Sequence, residues 1–146
     1  MYINARKLSR KEIGEAISLV WDVFNKYEAV NYPETGKEAF HQAICSAEYL
    51  DMLTAYGAFD DEKLIGIIAT RNAGAHIALF FVHGDYHRQG IGKTLFKACL
   101  KDNANKQITV NSSEYALDVY KKLGFIQMDS LKEEDGIRYI PMVFDR

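Results

Sequence analysis

Val82-His83-Gly84-Asp85-Tyr86-His87-Arg88-Gln89-Gly90-Ile91-Gly92-Lys93 joins an apolar run to an amphipathic one across two closely spaced glycines, and its reading decides the fold. Upstream, Ile77-Ala78-Leu79-Phe80-Phe81-Val82 is apolar at every position, the pattern of a strand covered on both faces. Downstream, Ile91, Leu95, Ala98 and Cys99 recur on one helical stripe that starts at Gly90. A helix start leaves four N–H groups without intrahelical partners and carries roughly half a positive charge. The junction therefore suits an anion, a phosphate first of all.

Two nucleotide motifs fail at named positions. The Walker A pattern G-x-x-x-x-G-K-S/T fits Gly92-Lys93-Thr94 but needs glycine where His87 stands. The dinucleotide pattern G-x-G-x-x-G fits Gly90 and Gly92 but needs glycine where Leu95 stands. What remains is a loop, Arg88 to Lys93, whose small residues let backbone amides approach a diphosphate while Arg88 and Lys93 add charge. Each charge-assisted contact contributes ~1.5–3 kcal/mol. A plain glycine-rich helix start is the alternative reading of this stretch alone.

Outward from the junction, a strand is expected at about Tyr2 to Leu8, then a helix opened by the capping box Ser9-Arg10-Lys11-Glu12. Its apolar stripe is Ile13, Ala16, Ile17, Val20, Phe24 and Tyr27. Asn31-Tyr32-Pro33 breaks it, and Thr35-Gly36-Lys37-Glu38 caps a second helix carrying Ala39, Phe40, Ala43 and Ile44. Two strands, about Leu53 to Phe59 and Leu64 to Arg71, flank the hairpin connection Asp60-Asp61-Glu62-Lys63. With Ile77 to Val82 they form an antiparallel meander. Ile108-Thr109-Val110-Asn111 follows the helix from Gly90, so strand, helix and strand imply a parallel pair with a right-handed crossover. Such a pair collects ligands at its carboxyl ends. A helix with a Ser112-Ser113 cap and a Gly124 stop comes next. Strands at Phe125 to Asp129 and Ile137 to Phe144, joined by Glu133-Glu134-Asp135-Gly136, end the chain.

The junction resembles motif A of the GCN5-related N-acetyltransferase (GNAT) family, usually Q/R-x-x-G-x-G/A, with Gly90 and Gly92 as its glycines and His87 at the Q/R position. Asn111-Ser112-Ser113 followed by Tyr120-Lys121-Lys122-Leu123-Gly124-Phe125 resembles the family's second signature. The element order β-α-α-β-β-β-α-β-α-β-β resembles that mixed α/β fold from end to end, as one domain over residues 1–146. The resemblance implies transfer of the acetyl group of acetyl-CoA to an amine, with strands four and five splayed apart. By the same resemblance, the main chain of Phe80, Phe81 and Val82 would pair with the pantetheine arm. His87, Arg88, Gln89, Gly90, Ile91, Gly92 and Lys93 would hold the pyrophosphate, Asn111 would contact the arm from the opposite strand, and Tyr120 would stand near the thioester sulfur as general acid.

Direct attack on a thioester needs a neutral amine and a protonated leaving thiol. An alkylamine with pKa near 10.4 costs about 4.6 kcal/mol to deprotonate at pH 7, so a base or a water chain is expected. Tyrosine near 10 against a thiol near 8.5 makes protonation of the leaving group uphill by only about 2 kcal/mol. The fourth strand has no acidic side chain, which leaves the base open between His83 just after it and Glu28 at the end of the first helix. His83 has the better unperturbed pKa for the task, near 6.5. Trp21, Tyr27, Glu28, Tyr32 and Glu34 in the first two helices would favour a small cationic amine, with Tyr139 as a further lining residue.

Composition bounds these readings. The chain has 146 residues, 48% of them apolar and 26% charged, with a net charge of −2, an ordinary single-domain composition without a basic field for nucleic acid. Neither a signal-peptide core nor a membrane-length apolar run occurs in the sequence, and a cytoplasmic monomer or homodimer is expected. Cys45 and Cys99 share no C-x-x-C or Cys/His spacing; both are expected as small core residues, and no metal is expected. A small amine is the expected acceptor, with a protein lysine or N-terminal amine as a variant. A noncatalytic acyl-CoA binding module is the rival class, left room by the missing strand-four carboxylate.

Overall fold

In the computed structural model, which describes residues 3–146, the capping box forms as read. Ser9 accepts the Glu12 N–H at 3.2 Å, and the Glu12 carboxylate accepts the Ser9 N–H at 2.9 Å. Strand β1 (Ile3–Lys7) precedes this cap; Tyr2, expected to begin it, lies outside the described residues. Helices α1 (Arg10–Glu15) and α2 (Ile17–Val23) follow, and the chain then widens into a π-helical turn, Phe24–Glu28, and a 3-10 turn, Ala29–Asn31. The single regular helix expected through Tyr27 is therefore segmented. Its last turn closes from the Ala29 N–H to the Phe24 carbonyl, five residues back.

Helix α3 (Glu34–Ile44) starts one residue before the expected Thr35 cap. Pro33 stands at its N-cap with φ −67°, so a preset backbone takes the place of a side-chain cap. A helix absent from the sequence reading, α4 (Ala47–Asp51), follows with Ser46 accepting the Tyr49 N–H at 3.4 Å. It is too short to show a helical period. Strands β2 (Thr54–Asp60), β3 (Lys63–Arg71) and β4 (His76–Val82) form the expected meander. Then come α5 (Ile91–Lys101), β5 (Gln107–Ser112) and α6 (Leu117–Leu123), the last stopped by Gly124 in the left-handed region. Ser113 caps one turn ahead of α6, accepting the Ala116 N–H at 3.1 Å.

The end of the chain differs from expectation. β6 is only Ile126–Gln127, and β7 (Lys132–Glu134) lies where a connection was expected, pairing with β8 (Ile137–Asp145). Asp135 and Gly136, at φ 53° and 80°, make the tight turn between them. The sheet order is β1-β2-β3-β4-β5-β8-β6, antiparallel except for β4 against β5. Its two faces carry separate cores. Val20, Phe24, Ile44, Ile67 and Leu79 pack on the α1–α4 side, and Ile65, Ile68, Leu95, Ile108 and Met142 pack on the α5–α6 side. Ile67 and Ile68 fall on opposite faces because side chains alternate along β3. Cys99 is a core residue as expected; Cys45 is exposed at the end of α3, its sulfur 3.6 Å from His41 Nε2.

Candidate active site

β4 and β5 share a ladder only at His76↔Thr109 and Ile77↔Val110. Beyond these pairs each strand follows its other neighbour, β4 with β3 and β5 with β8, and a gap opens toward their carboxyl ends. The register fixes which groups face it. His83 donates its N–H to the Ile65 carbonyl at 2.7 Å, so Val82 opposite Gly66 and Phe80 opposite Ile68 turn their N–H and C=O away from β3 into the gap. Phe81, opposite Ile67, has its backbone toward β3 and its ring in the core, so an arm adding along this edge would pair with Phe80 and Val82. On the far side Asn111, which is exposed, lies opposite Pro141, whose carbonyl instead accepts the Met128 N–H at 2.8 Å.

The loop from β4 to α5 begins with a 3-10 turn, Gly84–Tyr86. Arg88 at φ 62° and Gly90 at φ 80° then both sit in the left-handed region, which turns the chain onto α5 with its first amides outward. Holding a non-glycine residue there costs on the order of 1 kcal/mol, a strain found at ligand-binding turns. Arg88, Gln89, Gly90 and Lys93 are exposed, while the Ile91 side chain is buried beneath the helix start. Gln89 is held by the Asp85 carbonyl at 3.1 Å. His87 faces the other way and hydrogen-bonds the Val82 carbonyl at 2.7 Å.

Around the mouth of the gap the widened turn after α2 meets the loop before α6. Tyr120, 6% exposed, packs edge-on against Phe80 at 5.8 Å and Phe125 at 5.3 Å. Glu28 lies close enough that its charge raises the phenol pKa of Tyr32, Tyr115 and Tyr120. Burial comes first in each case: Tyr32 is pushed up to about 12, and Tyr120 is pushed up further still. Burial also raises the Glu28 carboxyl from 4.5 to about 7, with the Ser113 hydroxyl, 8% exposed, holding it down against that rise. Tyr27 lies between His87, tilted against it at 4.7 Å, and Tyr115, stacked on it at 5.6 Å.

The remaining expected site residues scatter. His83 Nδ1 accepts the Asp85 N–H at 3.1 Å, and the ring meets Tyr86, which itself bonds Asp60 on β2. That places His83 at the meander end, as the cap of a turn. Trp21 packs on His41 at 4.3 Å and lines, with Glu34, a separate cavity of about 340 Å³ between α2 and α3. Tyr139 bonds Glu134 on its own hairpin at 3.0 Å. Two residues of the mouth escaped the sequence reading: Ser113, read only as a cap, and Tyr115. The signal for Ser113 was its place directly after the Asn111 signature; Tyr115 carried none. No group of three or more metal-ligating side chains occurs among the described residues, and no helix among them is long and apolar enough to cross a membrane.

No curated protein matches the chain. Among solved structures, a GCN5-related N-acetyltransferase from Rhodopseudomonas palustris superposes with a TM-score of 0.83 at 18% identity, covering 100% of this chain and 97% of the other. The PaiA N-acetyltransferase of Thermoplasma acidophilum, in complex with coenzyme A, gives 0.80 at 23% identity over 100% of both chains. A GNAT acetyltransferase from Elizabethkingia anophelis with acetyl-CoA bound gives 0.64 at 18% identity, over 99% and 98%. At these identities the likeness is one of fold. In sequence, the model of the acetyltransferase (GNAT) domain matches residues 25–146, from the widened turn through the splayed strands to the chain end. The chain therefore belongs to the GNAT family of acetyltransferases, which transfer the acetyl group of acetyl-CoA.

Proposed function

We propose that the chain acetylates the primary amine of a small cationic molecule by direct attack in a ternary complex, with Glu28 as base and Tyr120 as general acid. The observation that carries this reading is the raised carboxyl of Glu28 among Tyr32, Tyr115 and Tyr120 at the mouth of the β4–β5 gap. The cofactor's place fits the residues present. Phe80 and Val82 offer a strand edge that β3 leaves unpaired, with the Val82 carbonyl held by His87, and α5 offers its first amides with Arg88 and Lys93 beside them. Gly92 adds support: it has no left-handed φ, and a methyl there would lie 3.6 Å from the Phe80 ring, an ordinary contact. Glycine in a helix costs about 1 kcal/mol relative to alanine, so Gly92 answers to something outside the chain, such as a diphosphate lying on the backbone.

Bound acetyl-CoA supplies an activated thioester; the chain's own residues supply protons and position. Glu28 in its ionised form attracts the ammonium and takes its proton. Raising the carboxyl from 4.5 to about 7 makes that transfer less uphill by about 3 kcal/mol. Tyr120, held neutral by burial, keeps its proton for the leaving sulfur. The same low-dielectric surroundings disfavour a thiolate as much as a phenolate, so the pKa gap that opposes the transfer does not widen with burial.

Release of CoA thiol from acetyl-CoA with a panel of amines tests the reading. Small diamines and other alkylamines are expected to turn over and neutral amides are not. Binding of acetyl-CoA with no thiol released by any amine would leave the protein a binding module.

A further inference from the structure

The carbonyl of Val82 is turned into the gap, where an arm lying along β4 would need it, and it is already taken. His87 donates to it from Nε2 at 2.7 Å, a short bond whose donor must be the ring because a carbonyl has no proton. The ring is fixed from behind. Tyr27 packs against it at 4.7 Å with the two rings tilted by 46°, Tyr115 stacks on Tyr27 at 5.6 Å, and the Tyr27 hydroxyl lies where any side chain at Gly84 would overlap it. The His87 N–H bonds the Gly84 carbonyl at 3.2 Å, so a tight turn brings the residue back onto the strand it has just left.

We propose that His87 is a latch displaced by the cofactor: it holds the Val82 carbonyl in the free enzyme and gives it up to an amide of the pantetheine arm. The inference rests on the acetyl-CoA reading above. It reverses the sign expected at this position, where the family motif carries a glutamine or arginine. A residue that grips phosphate strengthens binding; a residue that occupies the acceptor of the arm weakens it.

Titration calorimetry of His87→Ala and the wild-type protein with acetyl-CoA and with adenosine 3′,5′-bisphosphate, which lacks the arm, tests the latch. Removing a competing neutral hydrogen bond is expected to tighten acetyl-CoA about threefold to tenfold and to leave the bisphosphate unchanged. Weaker or equal acetyl-CoA binding in the variant overturns the latch, as does a bisphosphate affinity that changes with it. If wild-type protein binds no acetyl-CoA, the cofactor reading fails instead. Should His87→Ala not fold, nitrogen NMR of the wild-type imidazole decides: loss of the Nε2–H hydrogen bond at saturating acetyl-CoA is expected, and its persistence overturns the proposal.

Discussion

Glu28 is an acid whose folded pKa, about 7, lies above its ordinary 4.5, because burial penalises the carboxylate. The folded protein therefore holds this proton more tightly than the unfolded chain, and stability contributed by Glu28 falls as pH rises from about 4.5 to 7. Glu28→Gln, neutral throughout, is expected to be more stable than wild type at pH 8 by about 3 kcal/mol and equal to it near pH 4, read by urea unfolding at both values. The same substitution removes the proposed base: kcat/KM at pH 8 is expected to fall about 10²-fold, with loss of the rise in rate centred near pH 7. Tyr120 makes the opposite case, a phenol kept neutral through the working range. Tyr120→Phe is expected to lower kcat about 10²-fold while the calorimetric Kd for acetyl-CoA stays within twofold, since the ring still packs on Phe80 and Phe125. Unchanged turnover would remove Tyr120 from the proton path.

Between residue and fold stands the turn Phe24–Glu28, whose extra residue decides where Tyr27 and Glu28 point. Phe24 stays in the core, stacked on Phe40 at 4.3 Å and edge-on to Tyr32 at 5.1 Å, while the two residues at the turn's end reach the gap. Deleting Lys26, an exposed position of that turn, restores a regular helical ladder and rotates Glu28 by about 100°. The variant is expected to keep its far-ultraviolet circular dichroism and lose turnover at least 10²-fold; retained activity would show that the widened turn does not position Glu28. Nothing in the sequence foretold this turn. The stripe from Ile13 to Tyr27 is continuous at a spacing of three and four, and one added residue changes hydrogen bonding without breaking the apolar pattern. β7 was hidden for a related reason: Lys132-Glu133-Glu134 has no buried side chain, and its strand form comes from pairing with β8, by backbone and by the Tyr139–Glu134 hydrogen bond. The capping box at Ser9, the meander and the Gly124 stop were legible because side-chain type alone dictates them.

At the scale of the whole molecule, the site exists because the sheet is split. β5 is tied to β8 from Gln107 to Ser112 and β4 to β3 as far as Val82, whereas β4 and β5 hold each other only where His76 and Ile77 meet Thr109 and Val110. The sequence order of strand, helix and strand announced a parallel pair and a ligand at its carboxyl end. Where the pair parts depends on register, which no single segment encodes, and the partner of the carbonyl at its tip, His87, depends on how the loop folds back. The split has a signature in amide exchange. Phe81 bonds to β3 and its amide is protected in the free protein, whereas the amides of Phe80 and Val82 face the gap. Binding of acetyl-CoA along that edge is expected to slow exchange at Phe80 and Val82 by at least tenfold beyond the global gain in stability, with Phe81 following the global change only. At a hundred times Kd that global gain is about 2.7 kcal/mol, so the comparison must be made residue against residue at one ligand concentration. Equal slowing at all three positions would mean that the ligand stabilises the fold without adding to the strand, and the gap between β4 and β5 would lose its assignment as the seat of the arm.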